Sequence, residues 1–198
     1  GAYCVDADNN FKFINNTMQN CNGRALTVVN SGLINSNVFL DDTNTFDAYV
    51  ITAGLGACID ENIISCSGTC DAIIASNNSV IKNNSIYSAA GSGTGIQAVS
   101  TTSYFLTSVS NNLVEGFSDT GGIGILIPDQ GFKAYKGNAV QDCATKYSGT
   151  VVRTYDVTAP DNESLTASPV TSASADDFSR VDTGNVKEGS LPAVLGES

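Results

Sequence analysis

The chain has 198 residues, enough for one ordinary domain with a sizeable core or for a smaller domain with an appended segment. Its 20 acidic and 9 basic residues, with no histidine, give a net charge of −11. Such an anionic surface repels phosphate backbones and anionic lipids, so we expect no nucleic-acid partner. No apolar run approaches the roughly 20 residues that a membrane-spanning helix needs, so we expect no membrane insertion.

The chain has strand character from its first residues. The segment AYCVD already resembles a strand, and it is followed within one unit by Asn16, so we expect a first coil without an N-terminal cap. Because the chain begins at Gly1 rather than Met, we expect that an initiator or targeting segment has been removed, although an artificial start gives the same sequence.

A two-strand unit then recurs along the chain, marked by an asparagine between apolar residues. An apolar or aromatic side chain stands two or three residues before each asparagine, and another stands two residues after it. A turn rich in Gly, Ser, Asp or Thr and a second strand complete the unit. The marking asparagines, which are 21 to 28 residues apart, are Asn16, Asn37, Asn62, Asn84, Asn112 and Asn138.

A period in the twenties, without helical spacing, predicts an all-β solenoid whose units must stack to bury their apolar sides. Stacked coils lie about 4.8 Å apart, so the asparagines of successive coils lie above one another. Their amides can then donate and accept along a column instead of being buried unpaired. The repeat therefore predicts an internal Asn ladder.

This pattern resembles the right-handed parallel β-helix repeat family of the pectate-lyase-like superfamily, whose short coil motif is apolar-x-x-Asn-x-apolar. The resemblance covers residues 2 to about 157 and implies a right-handed parallel β-helix of about six to seven coils. The superfamily includes polysaccharide lyases, hydrolases, uronan epimerases, phage tailspikes and noncatalytic adhesins. The fold alone does not choose among these activities.

In the enzymes of this superfamily, acids, basic residues and calcium ligands lie on the outward face of one stacked sheet or in the adjacent loops. We expect the inward positions of the equivalent sheet to be Leu26, Val28, Ile73, Ile96, Ala98, Ile123 and Ile125. The expected outward positions are Thr27, Val29, Ile74, Ser76, Gln97, Val99, Gly124 and Leu126. This outward face is almost uncharged, which favours a noncatalytic role.

An enzyme of this class would need two carboxylates about 5 to 10 Å apart for glycoside hydrolysis, or an arginine base for a lyase reaction. The candidates near strand ends are Asp119, Asp129 and Asp156, with Arg153 as the cation. For Asp119 and Asp129 a role in turns is the favoured interpretation. The absence of histidine excludes the usual nucleophilic triads.

Two acidic clusters could supply oxygen ligands to calcium, and the tyrosines could supply a glycan-binding face. No calcium-loop pattern accompanies the acids, so solvated turn charge is favoured and no metal or other cofactor is expected. The clusters are Asp41, Asp42 and Asp47, and Asp60 with Glu61. Scattered tyrosines more often serve packing; they are Tyr3, Tyr49, Tyr87, Tyr104, Tyr135, Tyr147 and Tyr155.

The six cysteines lack the paired CxxC spacing of a zinc site, and disulfides are the better interpretation. We expect bridges between Cys4 and Cys21 and between Cys66 and Cys70, which leaves Cys58 and Cys143 unassigned. Four Asn-x-Ser/Thr sequons fit the same secretory route and predict an extracellular or cell-surface glycoprotein. They stand at Asn15, Asn77, Asn83 and Asn162.

After Asp156 the composition changes to Ser, Ala, Thr and Asp with one aromatic residue, and such a segment cannot build its own core. We therefore expect a β-helix over residues 1–158 and an extended or disordered tail over residues 159–198. Part of the tail, for example SLPAVLG, could pair with an open edge of its own or a neighbouring subunit.

These features favour a secreted, noncatalytic structural or adhesive protein that self-assembles through open coil edges and its tail, as a homo-oligomer or filament. A trimer of parallel solenoids is the competing assembly. The alternatives are a polysaccharide-active enzyme or a phage tailspike fragment, and a noncatalytic glycan-binding module.

Overall fold

The computed structural model describes residues 3–41, 48–89, 91–99, 106–126 and 132–149, and three short strands beyond them. These residues are all β, and none of them forms a helix that is long and apolar enough to cross a membrane. The strands in chain order are β1 (Tyr3–Ala7), β2 (Lys12–Ile14), β3 (Thr17–Gln19), β4 (Arg24–Asn30), β5 (Leu33–Asn35), β6 (Val38–Leu40), β7 (Ala48–Leu55), β8 (Cys58–Asp60), β9 (Ile63–Cys66), β10 (Cys70–Ala75), β11 (Val80–Lys82), β12 (Ser85–Ser88), β13 (Thr94–Ala98), β14 (Leu106–Ser110), β15 (Leu113–Glu115), β16 (Ile123–Leu126), β17 (Phe132–Lys136), β18 (Ala139–Gln141), β19 (Thr145–Ser148), β20 (Glu163–Ser164), β21 (Val170–Ser172) and β22 (Asp177–Arg180).

Three parallel sheets form the walls of a solenoid, and the chain contributes one strand to each sheet in turn. The first sheet has the order β1-β4-β7-β10-β13-β16-β19, the second β17-β14-β11-β8-β5-β2, and the third β20-β18-β15-β12-β9-β6-β3. Strands that neighbour each other in a sheet are thus one coil apart in sequence. The predicted parallel β-helix is confirmed.

The core consists of three columns of inward side chains, one from each sheet, and almost all of them are fully buried. The motif places one apolar residue three positions before each ladder asparagine and another two positions after it. The first sheet contributes Leu26, Ile51, Ile73, Ile96 and Ile125. The second contributes Ile34, Ile59, Ile81 and Val109, and the third Phe39, Ile64, Ile86, Val114 and Val140. Each such side chain contributes about 1.5–3 kcal/mol of hydrophobic stabilisation.

The Asn ladder runs along the bend between the second and third sheets, and the predicted column of six asparagines is confirmed. At each step the backbone N–H and the side-chain Nδ2 of one asparagine donate to Oδ1 of the next. For Asn62 and Asn84 these distances are 3.0 and 2.9 Å, and the same Nδ2 of Asn62 lies 3.0 Å from the Ile34 carbonyl oxygen. From Asn37 to Asn138 the ladder side chains are completely buried. Without these hydrogen bonds their amide groups would be buried unpaired, which would destabilise the fold.

The residue before each ladder asparagine has a left-handed backbone conformation. The φ values at these six positions lie between 54° and 66°. Asparagine and glycine tolerate this conformation better than other residues. This accounts for the asparagine pairs in the sequence, such as Asn83 before Asn84, because the first residue turns the backbone and the second joins the ladder. The six residues are Asn15, Ser36, Glu61, Asn83, Asn111 and Gly137.

The predicted side-chain directions in β16 are wrong at two positions. Ile123 was expected to face inward, but it pairs with Thr94 and is only half-buried. Gly124 was expected to face outward, but a Cβ placed there would lie 2.5 Å from Cγ1 of Val140, in the interior. Two consecutive residues point inward here because the strand begins at a bend, where Ala25 and Leu26 of β4 are likewise both buried.

Strand pairing continues beyond residue 158. β20 adds to the third sheet in parallel, with Glu163 beside Ala139, and β21 pairs antiparallel with β22. All three strands lie in the range assigned to the tail. The sequon at Asn162 lies outside the described residues.

Candidate functional site

Two disulfides connect the expected cysteines. Cys4 of β1 is bridged to Cys21, in the turn before β4, with Cα atoms 6.2 Å apart. Cys66 at the end of β9 is bridged to Cys70 at the start of β10, with Cα atoms 6.7 Å apart. The first bridge therefore closes the first coil, and the second closes the tight turn between the third and first sheets.

The other two cysteines are free and half-buried. Burial, and then the nearby Asp60 carboxylate, raises the pKa of the Cys58 thiol. Burial also raises the pKa of Cys143 to about 11, and its Sγ donates to the Gln141 carbonyl oxygen at 3.2 Å. Because the thiolate is the nucleophile and metal ligand, these protonated thiols are suited to neither role.

Of the four candidate catalytic residues, the structure describes Asp119 alone. Asp119 lies exposed in a turn, where its carbonyl oxygen accepts from the Gly122 N–H at 2.8 Å. Asp129, Arg153 and Asp156 lie outside the described residues. For Asp119 the geometry matches that of a turn residue.

The candidate calcium ligands that the structure describes lie in different environments. Asp41 is 3% exposed, so the expectation of solvated turn charge is wrong for this residue. Asp60 forms an ion pair with Lys82, and Glu61 accepts a hydrogen bond from Ser36 at 3.1 Å. Asp42 and Asp47 lie outside the described residues. Within the described part of the chain, no three Asp, Glu, Cys or His side chains are grouped so that they could hold a metal ion.

A polar cluster lies on the outward face of the second sheet around Asp60. Its carboxylate accepts from Lys82 Nζ at 2.9 Å and from Asn83 Nδ2 at 2.9 Å. The hydrogen bond to Asp60 raises the pKa of Lys82 and keeps the lysine charged. Asp60 is thus already engaged with two donors across neighbouring coils, which is typical of a structural surface network.

A second outward cluster, which the sequence analysis missed, lies at the start of the first sheet's strands. Arg24, Tyr49 and Asp71 occupy one register column, two positions before the inward residues of their strands. The Arg24 guanidinium lies 4.8 Å from the centre of the Tyr49 ring, in a cation–π contact. Asp71 Oδ1 accepts from the Thr94 N–H at 2.7 Å. The sequence signal for this cluster is that each of its residues stands two positions before an inward residue. The turns between the strands vary in length, so this spacing is hard to recognise in the sequence.

The three described sequons differ in accessibility. Asn15 is exposed, whereas Asn83 is half-buried and Asn77 is 6% exposed. The Asn83 side-chain nitrogen, the atom that a glycan would modify, donates to Asp60. Asn15 therefore presents the best acceptor among these three.

The outer end of the first coil combines open strand edges with apolar side chains. Among the described strands, β1, β2 and β3 each have a partner on one side only. Their inward side chains Val5, Phe13 and Met18 are half-buried, although the equivalent residues of the second coil are fully buried. The ring centre of Phe13 lies 6.2 Å from those of both Phe11 and Phe39; its ring is stacked with Phe11 and tilted relative to Phe39.

The ladder ends at this surface with a hydrogen-bond acceptor. Asn16 is exposed, and its N–H and Nδ2 donate to Oδ1 of Asn37 at 2.9 and 3.3 Å. No group of the described residues donates to the Oδ1 atom of Asn16 itself. We call this surface, made by β1, β2, β3 and Asn16, the first-coil end.

Comparison with known proteins agrees with this architecture. A family model described as a right-handed β-helix region matches residues 1–162. Searches of curated proteins and of solved structures give no match. The family match describes a fold and does not specify an activity.

Proposed function

The chain belongs to the right-handed β-helix family, and we propose that it is a secreted, noncatalytic structural or adhesive protein that self-assembles through its coil edges and tail. The pairing of β20 carries this proposal, since a segment after residue 158 adds there to an edge of the solenoid. Open edges of this kind recruit further strands unless something covers them.

The pairing of β20 supports a role for the region after residue 158 in edge addition. Its two residues join the third sheet in parallel, beside Ala139 and Val140. Strand addition of this type supplies main-chain hydrogen bonds, with side chains giving specificity. A segment that pairs with its own solenoid is chemically suited to pair with the edge of a neighbour.

The two disulfides support secretion to the extracellular space or cell surface. Bridges persist in oxidising compartments and are rare in the cytosol. One bridge closes the first coil, and the other closes one tight turn.

Sedimentation velocity and negative-stain electron microscopy of the full chain test the proposal. We expect oligomers or fibres that grow with protein concentration, and shorter assemblies after deletion of residues 165–198. A monodisperse monomer that degrades polyuronic acids would contradict the proposal and favour the enzyme interpretation. A fixed trimer would favour the lateral assembly of parallel solenoids.

Glycan binding is the second candidate, and the Arg24–Tyr49–Asp71 column specifically favours it. An aromatic ring beside a guanidinium and a carboxylate offers both stacking and hydrogen bonds to a sugar. Calorimetric titration with polygalacturonate oligosaccharides tests this function. Tyr49→Ala should weaken binding about tenfold, whereas Tyr87→Ala, on the third sheet, should not.

A further inference from the structure

We infer that the outward face of the third sheet is the docking surface for residues 165–198 of the same chain. The inference concerns each copy by itself and does not depend on the proposed self-assembly. Three features carry it: the burial of this face, the change in that burial along the solenoid, and the place where β20 joins the sheet.

Outward side chains at the start of the third sheet's strands become more buried from the second coil toward the last. In each strand this residue follows the ladder asparagine and precedes the inward residue, so it points away from the core. In the second coil the position is held by Val38, which is half-buried. In the coils that follow, the exposed fractions are 9% at Ile63, 4% at Ser85, 2% at Leu113 and 0% at Ala139.

Neighbouring strands alone do not account for this burial. Val38 lies between β3 and β9 and is still half-buried, and the outward Val80 of the second sheet lies between β8 and β14 and is 36% exposed. Leu113 is a larger side chain that stands between the smaller Ser85 and Ala139, yet only 2% of it is exposed. A further layer of the chain must therefore lie over Leu113.

The position of β20 points to the segment that follows it. β20 is the edge strand of this same sheet, and Glu163 pairs there with Ala139, the most buried position of the outward column. The burial of the column decreases step by step with distance from this edge. A segment that leaves β20 and crosses the face from this side accounts for both observations.

The other long stretches outside the described residues connect elsewhere. Residues 100–105 and 127–131 lead from the first sheet to the second, and residues 150–162 lead into β20 itself. Residues 42–47 follow β6, where Val38 is the least buried of the column from the second coil onward. None of these positions matches burial that is greatest at the last coil.

The face also needs a hydrogen-bond donor, which a peptide segment can supply. Gln141 is the outward residue at the end of β18, and its Oε1 is buried without a donor from the described residues. A backbone N–H can donate to this amide oxygen. Residues 165–198 contain the β21–β22 pair and apolar residues among Ser and Ala, and they are long enough to cross coils that lie about 4.8 Å apart.

Carbene footprinting of the full chain, and of a chain that ends at Ser164, tests the inference, because the probe inserts into side chains that it can reach from solvent. We expect almost no label on Leu113 in the full chain. In the shortened chain its labelling should rise about tenfold or more, as its exposure rises from 2% toward the 46% of Val29. Labelling of Val29, on the first sheet, should not change. New label on the inward Ile64 would show that the shortened chain is not folded, and the full-length variants below then decide.

Leu113→Glu tests the same contact at full length. A carboxylate is costly to bury on this face, so the variant should release the segment. Trypsin should then cleave after Arg180 and Lys187 about tenfold faster or more, because the open population is larger. The matched control Val80→Glu puts the same charge on the second sheet and should leave the cleavage rate unchanged. Circular dichroism shows whether both variants remain folded.

Each outcome supports or overturns the inference. Leu113 that is labelled in the full chain, or unlabelled in both folded chains, would overturn it, as would equal cleavage rates for the two glutamate variants. Protection of Leu113 that disappears on dilution would overturn it in favour of a segment from a second copy. Protection that persists in a monomer would support it and contradict the proposed self-assembly, so the two proposals fail separately.

Discussion

At the scale of single residues, the ladder asparagines combine a donor and an acceptor in a side chain short enough to fit between two coils. We predict that Asn62→Ala lowers the free energy of unfolding by about 3 kcal/mol or more, because it leaves the buried N–H of Asn37 without its acceptor and removes one of the two donors to Oδ1 of Asn84. Asn16→Ala, at the exposed end of the same column, should cost about 1 kcal/mol. Chemical denaturation measures both, and equal losses would contradict a ladder whose strength depends on burial.

Glu61 occupies a left-handed position, with φ at 55°, for which its side chain is poorly suited. We predict that Glu61→Asn raises the free energy of unfolding by about 0.5–1 kcal/mol, because the strain of a left-handed conformation exceeds the value of the exposed hydrogen bond from Ser36. Glu115→Asn, in the extended strand β15, is the control and should not stabilise the protein. Denaturation midpoints of the two variants decide the question.

Cys143 links stability to alkaline pH. Its folded-state pKa of about 11 lies above 9.0, the pKa of an unperturbed thiol. The stability that this thiol contributes is therefore complete below about pH 9 and is lost as the pH rises through 11. We predict that the stability of the unmodified chain falls more steeply over this window than that of Cys143→Ser, as measured by urea unfolding at successive pH values. Parallel curves would contradict the prediction.

The ladder asparagines could be predicted from the sequence because the register with their apolar neighbours is strict. The left-handed conformation of the residues before them could not be predicted, because Ser36 and Glu61 are not residue types that favour this conformation. The Arg24–Tyr49 contact was missed for a different reason. It joins residues one coil apart, and the intervening turns vary in length.

At the scale of elements, the two disulfides constrain loops of very different length. The Cys4–Cys21 bridge spans 17 residues and closes the first coil, whereas Cys66–Cys70 spans four. We predict that Cys4→Ser with Cys21→Ser lowers the free energy of unfolding by about 3 kcal/mol, and that Cys66→Ser with Cys70→Ser costs clearly less. Hydrogen exchange of residues 3–20 should increase in the first variant only.

The repeat predicted the order and type of the strands, but it did not predict every side-chain direction correctly. Simple alternation assigned Gly124 outward, although the bend at the start of β16 points it inward against Val140. A side chain there would clash, which explains why both Gly95 and Gly124 stand in this column. Alternation fails where the chain turns between two sheets, since two consecutive residues can then face the core.

At the scale of the whole molecule, the apolar side chains of the first-coil end would favour the proposed self-assembly, and the net charge would oppose it. Apolar side chains and open edges favour contact between copies, while the net charge of −11 makes the copies repel. Repulsion between surfaces is screened over about 10 Å at 0.1 M salt and about 3 Å at 1 M salt. Hydrophobic burial is not weakened by this screening.

We therefore predict that association strengthens as sodium chloride rises from about 0.1 M to 1 M. Sedimentation velocity at fixed protein concentration should show larger species at high salt. Phe13→Lys should remain smaller than the unmodified chain at both salt concentrations, because salt screens repulsion but cannot restore the apolar surface. Association that weakens as salt is added would mean that complementary charges hold the copies together, and the contact would then lie on the charged sides of the solenoid rather than at the first-coil end.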